Sequence, residues 1–458
     1  MKKLHILLLF SILLISCDDN SRGDYDLLIT NANIVDVKNN QVIRNQMIGI
    51  KDDTIAYTGP MSGRDNYDSS ETLDAQGKFL IPGLWDMHVH FRGGEQLAKE
   101  NKDFLKLFLS YGITTVRDAG GDITPQLLSW KKDIESGKLE GPRIFTSGPK
   151  LDGKDPAWEG SISVVSDQDV QQALDSLQDM KVDFVKIYDG SITSENFYKI
   201  IQEAEKRGMK TTGHMPMDAN FLTAVDYGLD GSEHMYYIIK ACSPKADSLS
   251  NLGLGYGMMN DLVDSYDENL ANMVFSKLKV QKTSITPTLH IGKVLSGLAD
   301  TDHGQDSTLE HIGRGIRKTY QRRIDAAKQA KASGNTMRSK VQELSEKMIV
   351  PMFNSGVNIV AGSDCGAYNS FVYPGQSLHA ELKALVDAGL TPAQALQTSV
   401  INGPKFFGLE KDYGAIEKGK IGDILILNKN PLENIENTSS IIYVIKNGET
   451  MKPRDLAD

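Results

Sequence analysis

Two histidines stand one residue apart in Asp86-Met87-His88-Val89-His90, directly after the apolar run KFLIPG, in a chain with nine histidines in all. On a β-strand the side chains alternate, so His88 and His90 face one side while Met87 and Val89 face the other. Two imidazoles on one face at a strand end make a two-point grip for a divalent metal. The alternative is a hydrogen-bonded place in the core, and the spacing alone does not choose. Four more residues share this character. His214 in TTGHMP and His234 in GSEHMY each close a short apolar run, and Asp364 follows one in VNIVAGSDCG. Lys186 lies between Val185 and Ile187, where a bare ammonium is disfavoured unless it pairs with an acidic neighbour or is no longer a cation.

These side chains need a scaffold that gathers distant strand ends. Short apolar runs recur at 112–120, 141–149, 182–190, 209–216, 228–236, 283–290 and 357–366, and the DMHVH strand makes eight. Helical patterns separate them, with Val170, Leu174 and Leu177 on one face and Phe197, Ile200 and Ile201 on another before a stop at Gly208. Thr391, Pro392 and Gln394 spell a capping box. Alternation of this kind predicts an α/β fold with a parallel sheet, and eight repeats predict a (β/α)8 TIM-type barrel over residues 82–415. Its chemistry would gather at the C-terminal mouth of the strands. Residues 26–81 and 416–453 read as short β segments, which predicts a small β-sandwich domain built from both terminal segments. Residues 255–350 form a longer, more helical excursion, and its basic run HIGRGIRKTYQRRIDAAKQAKASG is read as a solvated helix face.

Length and composition fit this scheme. A chain of 458 residues with 40% hydrophobic and 24% charged residues has room for a large core and more than one domain. A net charge of −10 without a dense Lys/Arg cluster argues against a polyanion-binding surface, so no nucleic-acid partner is expected. At the start, Lys2 and Lys3 precede an apolar run from Leu4 to Ile15, the pattern of an export signal peptide over residues 1–16. Leu14-Ile15-Ser16-Cys17 resembles the bacterial lipobox, which implies lipidation of Cys17 and a polar tether over residues 17–25. The chain is therefore expected to be exported and lipid-anchored to a bacterial membrane, at the periplasmic face or the cell surface. The anchor would be its only contact with the membrane. Cys242 and Cys365 remain, and no disulfide is expected between them.

Taken in order, IPGLWDMHVH, FVKIY, TTGHMP, GSEHMY and AGSDCG, followed by GAIEKGKIGDILILNKNPLENI, resemble the metal-dependent amidohydrolase superfamily. The likeness is to its imidazolonepropionase-like and prolidase-like branch and runs from about Asp26 to Met451. It implies two divalent metal ions. His88, His90 and Asp364 would hold the more buried ion and His214 and His234 the second, with Lys186 carbamylated by carbon dioxide to bridge them. Zn²⁺ suits such mixed imidazole and carboxylate ligands, with Mn²⁺, Co²⁺ or Fe²⁺ as alternatives. A hydroxide bridging the ions would attack the scissile carbonyl, and Asp364 would act as general base and then general acid.

Further side chains fall near strand ends. Tyr188 shares the parity of Lys186, Tyr236 follows His234, and His290 is placed at the end of the seventh strand. Arg92 and Arg117 are placed to clamp a substrate carboxylate, and all five are equally open to a structural role. The expected function is binuclear hydrolysis of an amide or peptide C–N bond in a small substrate: a dipeptide, an N-acyl amino acid or a cyclic amide. A lactonase or a mononuclear deaminase on the same barrel is the alternative, and a non-enzymatic ligand-binding lipoprotein a more distant one. A second copy of the chain, forming a homo-oligomer, is the candidate protein partner.

Overall fold

The computed structural model describes residues 23–457, so the expected signal segment, Cys17 and residues 18–22 lie outside the described residues. The chain enters at a long strand, Gly23–Asp36, whose alternating side chains are buried on both faces. Leu27 and Ile29 join one apolar cluster, while Leu28 joins Tyr25 and Met47 on the other side. Asn31, at φ 50°, marks a break in register with the neighbouring strand Gln41–Lys51. The first half of the long strand pairs with Tyr67–Asp74 and the second half with Phe79–Pro82, so the sheet folds over as a sandwich-like layer. Ile424–Leu427 then pairs with Phe79–Pro82, and Ile441–Lys446 beside it, which brings both terminal segments into one eight-stranded sheet. Residues 23–25, expected in the tether, belong to this sheet because Tyr25 is buried against Tyr57 and Tyr67.

The middle of the chain is the alternating α/β core. Seven of the eight expected strands form: Leu84–Val89, Ile113–Asp118, Arg143–Thr146, Val185–Ile187, Thr211–Gly213, Gly231–Glu233 and Ser284–Thr286. They pair in parallel within two sheets, the first three in one and the last four in the other. The hydrogen-bonded ladder is not closed into a continuous barrel. At one seam Asp183 N–H donates to Thr146 O at 2.8 Å.

The eighth expected strand, within 357–366, is an irregular segment that fills the other seam. Single bridges link Ile359 to Ile285 and Cys365 to Val89. Asp364 at φ 57° and Gly366 at φ 136° leave the extended region, so no longer ladder can form. The segment is fastened instead by the buried Asp86 carboxylate, which accepts Ser363 N–H at 2.9 Å and Ser363 Oγ–H at 2.6 Å. Gly362 is required here, since a Cβ would come within 2.7 Å of His88 Cβ.

The helices follow their sequence signals. Ser166 and Thr193 cap Asp167–Asp179 and Ser194–Lys206, and Thr391 with Gln394 completes the predicted capping box on Pro392–Val400. The helical excursion includes Leu289–Gly297, Gln321–Ala332 and Met337–Asn354, which return to the mouth of the core.

Candidate metal centre

His88 and His90 end the first strand with their rings 5.0 Å apart and nearly perpendicular. Each has its Nδ1 committed: His88 to Glu233 Oε2 at 2.6 Å and His90 to the Gly120 carbonyl at 2.9 Å. Their Nε2 atoms lie 3.5 Å and 3.3 Å from Asp364 Oδ1. From the sixth strand His234, with Nδ1 on Thr288 Oγ1 at 2.6 Å, brings Nε2 to 3.8 Å from Asp364 Oδ2. His214, with Nδ1 3.2 Å from Asp189 Oδ1, stands beside it at a ring separation of 4.9 Å. Fixing Nδ1 leaves Nε2 free to serve as a ligand, the usual arrangement behind a metal-binding imidazole.

Protonation favours the same role. Burial pushes His88 down, His90 well down and His234 to about 3, so these rings are neutral at physiological pH. Burial alone would raise the Asp364 carboxyl, but the surrounding imidazoles outweigh it and hold the group well below its ordinary value. Neutral imidazoles facing an ionised carboxylate are the protonation states a divalent ion requires. The candidate ligand atoms of His88, His90 and Asp364 all lie within 4.8 Å of one another. His234 at φ 60° and Asp364 at φ 57° also hold the backbone in a sparsely populated region, strain of the kind that gathers at functional sites.

Lys186 lies beneath this group, buried, with Nζ 3.4 Å from Glu233 Oε1 and no hydrogen-bond partner. Burial lowers it to about 8. The acidic neighbour exists, but its hydrogen bonds go elsewhere. Glu233 accepts from Arg117 Nη2 at 3.0 Å on both oxygens and from Thr212 Oγ1 at 2.6 Å, besides its contact with His88. His88 Nε2 and Lys186 Nζ are therefore buried polar atoms without hydrogen-bond partners, and a metal with a carbamate would supply what both lack.

The secondary candidates separate. Tyr188 lies against His214 at a ring distance of 4.5 Å, and Tyr236 lines the cavity above Asp364. Arg117 is not at the mouth: it is held under the site by Glu233 and the Met87 carbonyl. Arg92 is buried as well, with Nε on the Ala367 carbonyl at 2.8 Å and its guanidinium 4.2 Å over the Trp158 ring. His290 does not end a strand. It lies in the first turn of Leu289–Gly297, its N–H donating to Glu381 Oε2 at 2.6 Å, because the seventh strand stops at Thr286. Cys242 and Cys365 are buried free thiols.

Other residues in the site were not singled out by type and spacing. Glu233 was findable, because Arg117 and Lys186 in buried strands demand an interior anion and Glu233 is the acid that ends the strand two places along the sheet from Lys186. Asp189 was findable too, one residue beyond Tyr188. Asn369 was not: its amide donates to Asp364 Oδ1 at 2.7 Å from an irregular loop. Arg323 and Arg338, within and just past the basic stretch read as solvated, line the cavity above Asp364, a space of about 180 Å³.

The amidohydrolase family model matches residues 79–451. The chain belongs to the amidohydrolase family. An adenine deaminase of Paracoccus denitrificans is 22% identical over 423 residues, 90% of this chain but 57% of that protein. The chain thus spans little more than half the length of that curated relative. Among solved structures, a Xaa-Pro dipeptidase with methionine in its active site superposes with a TM-score of 0.68 at 19% identity, covering 93% of this chain and 99% of the other. A bottromycin amidohydrolase superposes at 0.73 with 18% identity, covering 94% and 87%. At these identities the two structures testify to a shared fold, and the family model to membership of the amidohydrolase family.

Proposed function

We propose that the chain is a metal-dependent hydrolase that cleaves an amide or peptide C–N bond in a small substrate. The observation that carries this is the convergence of His88, His90, His234 and Asp364, three neutral imidazoles and an ionised carboxylate, above a lysine with no hydrogen-bond partner. His88, His90 and Asp364 would hold one divalent ion, Zn²⁺ by preference, and His214 and His234 a second. Bound there, such ions supply Lewis acidity and lower the pKa of water. Lys186, brought down to about 8, keeps some unprotonated amine near neutrality, the form that adds carbon dioxide and releases a proton to become a carbamate. Arg117 already balances the Glu233 charge that such a carbamate would face.

In this reading Asp364 moves the proton. Its carboxylate takes one from the attacking water and passes it to the leaving nitrogen, while the Asn369 amide holds the side chain in place. Cys365 plays no nucleophilic part, since burial pushes its thiol well above the ordinary range. Tyr188 and Tyr236 border the space open to substrate.

Metal analysis together with a screen of dipeptides, N-acyl amino acids, cyclic amides and lactones tests the reading. Two metal equivalents with amide hydrolysis support it; hydrolysis of esters alone, or no bound metal, overturns it. The similarity to an adenine deaminase favours a second reading, deamination, whose signature is one metal equivalent and ammonia release from a purine. We also propose export with a lipid anchor on Cys17, supported by the lipobox-like LISC; incorporation of labelled palmitate that Cys17→Ser abolishes is the expected result.

A further inference from the structure

A second cavity, of about 270 Å³, adjoins the one above Asp364, and Arg323 and Arg338 line both. Its aromatic lining is Trp158, Tyr188 and Tyr368, and Arg322 completes its basic side. Among the described residues no acid lines this second cavity, and Asp364 is the single acid lining the first. For a chain of net charge −10, that local excess of cations is the opposite of the average surface.

These arginines differ from the two expected to clamp substrate. Arg92 and Arg117 are spent on protein groups. Arg322 and Arg338 make no ion pair or hydrogen bond with any described residue. Arg323 is pinned through Nε to the Tyr368 carbonyl at 2.8 Å and through Nη2 to Asn369 Oδ1 at 2.6 Å, leaving Nη1 uncommitted. Behind the aromatic wall, Arg92 lies 4.2 Å from the Trp158 ring and adds positive potential without reaching across it. Guanidiniums gathered around one concavity repel one another until an anion enters, and their planar forks suit a carboxylate.

We propose that this cavity is the subsite for the acidic end of the substrate, a carboxylate borne next to a flat apolar group that packs against Trp158, Tyr188 and Tyr368. This rests on the hydrolase reading and narrows it. Among small amides it selects acidic ones such as N-acyl aromatic amino acids, and it disfavours an uncharged purine. Arg323 also connects the subsite to the reaction centre, because the Asn369 side chain it grips donates to Asp364. A bound carboxylate would thus stiffen the loop that orients the proton carrier.

The test is equilibrium binding of N-acetyl-L-phenylalanine and of its uncharged carboxamide, followed by calorimetry on the metal-loaded full chain and again after chelation. The expected result is a preference for the carboxylate of about 10- to 100-fold, the range of a charge-assisted hydrogen bond converted to affinity. In Arg322→Gln/Arg338→Gln that preference falls towards one. Arg338→Lys, which keeps the charge and loses the fork, retains part of it. A preference that is absent, or that persists unchanged in the double variant, overturns the subsite; persistence in the loaded protein with loss after chelation would assign the carboxylate to the metal instead. Measured without metal, the arginine-dependent preference survives even if the hydrolase reading fails, so the two failures are distinguishable.

Discussion

Beneath the mouth, Arg117 donates to both oxygens of Glu233, Thr212 and His88 complete that carboxylate's partners, and Lys186 lies against it. Above the mouth, Arg322 and Arg338 face a cavity with no acid to meet them. The floor is a buried charge network in which nearly every group has a protein partner, so its job is to hold His88 and Lys186 in place. The wall leaves cations unanswered next to water, where solvation makes that arrangement tolerable, and so keeps them available for something from outside. Charge neutralised internally builds the site, and charge left over selects what enters it.

Breaking the chemistry shared by floor and wall should have the largest effect. Asp364→Asn is expected to lower kcat by about 10²- to 10⁴-fold, the usual worth of a general acid–base group, while most of the bound metal stays. Wild-type-like turnover in steady-state assays of that variant would remove Asp364 from the proton path. Breaking the floor comes next: Glu233→Gln leaves Arg117 a buried cation without its ion-pair partner, and denaturant unfolding should show a loss of about 3–5 kcal/mol. If stability were unchanged, the floor would not be the electrostatic support described above. Between floor and wall, Asp189 orients His214 and is itself gripped by Tyr237 Oη–H at 3.1 Å. Asp189→Asn should weaken metal binding about 10- to 100-fold, read by competition with a chelator, with little change in fold. The smallest effect belongs to a site remote from both: Thr391→Ala removes the capping box of Pro392–Val400 and should cost about 1 kcal/mol by thermal unfolding, with kcat/KM untouched.

Much of the scaffold is legible in the sequence, for definite physical reasons. Helices such as Asp167–Asp179 and Pro392–Val400 carry local signals, a cap and a 3.6-residue apolar period, that act within a few residues of chain. The sandwich-like sheet was anticipated from two β-rich ends, though its first strand begins earlier than expected because Tyr25 packs with Tyr57 and Tyr67 across the sheet. The eighth barrel segment looked like a strand because Val357, Ile359 and Val360 are apolar and β-branched. It departs from one where Asp364 and Gly366 turn the backbone to positive φ, a demand made by His88 and Asp86 on a strand more than 270 residues away in sequence, as the Ser363 to Asp86 separation of 277 shows.

Which side chains could do chemistry follows from residue type and spacing along the chain. Strand alternation puts His88 and His90 on one face, and a lysine inside a buried strand announces an unusual environment; both follow from covalent geometry and the energetics of burying charge. How the arginines divide depends on the folded chain. Arg117 and Arg92, near strand ends, turned inward to Glu233 and the Ala367 carbonyl, while Arg323, in a stretch read as a solvated helix face, and Arg338, just past it, turned to the cavity. Nothing local distinguishes these guanidiniums. Whether one is satisfied by the protein or left for a substrate depends on which acids the fold brings within about 4 Å, a matter of long-range packing rather than of spacing along the chain.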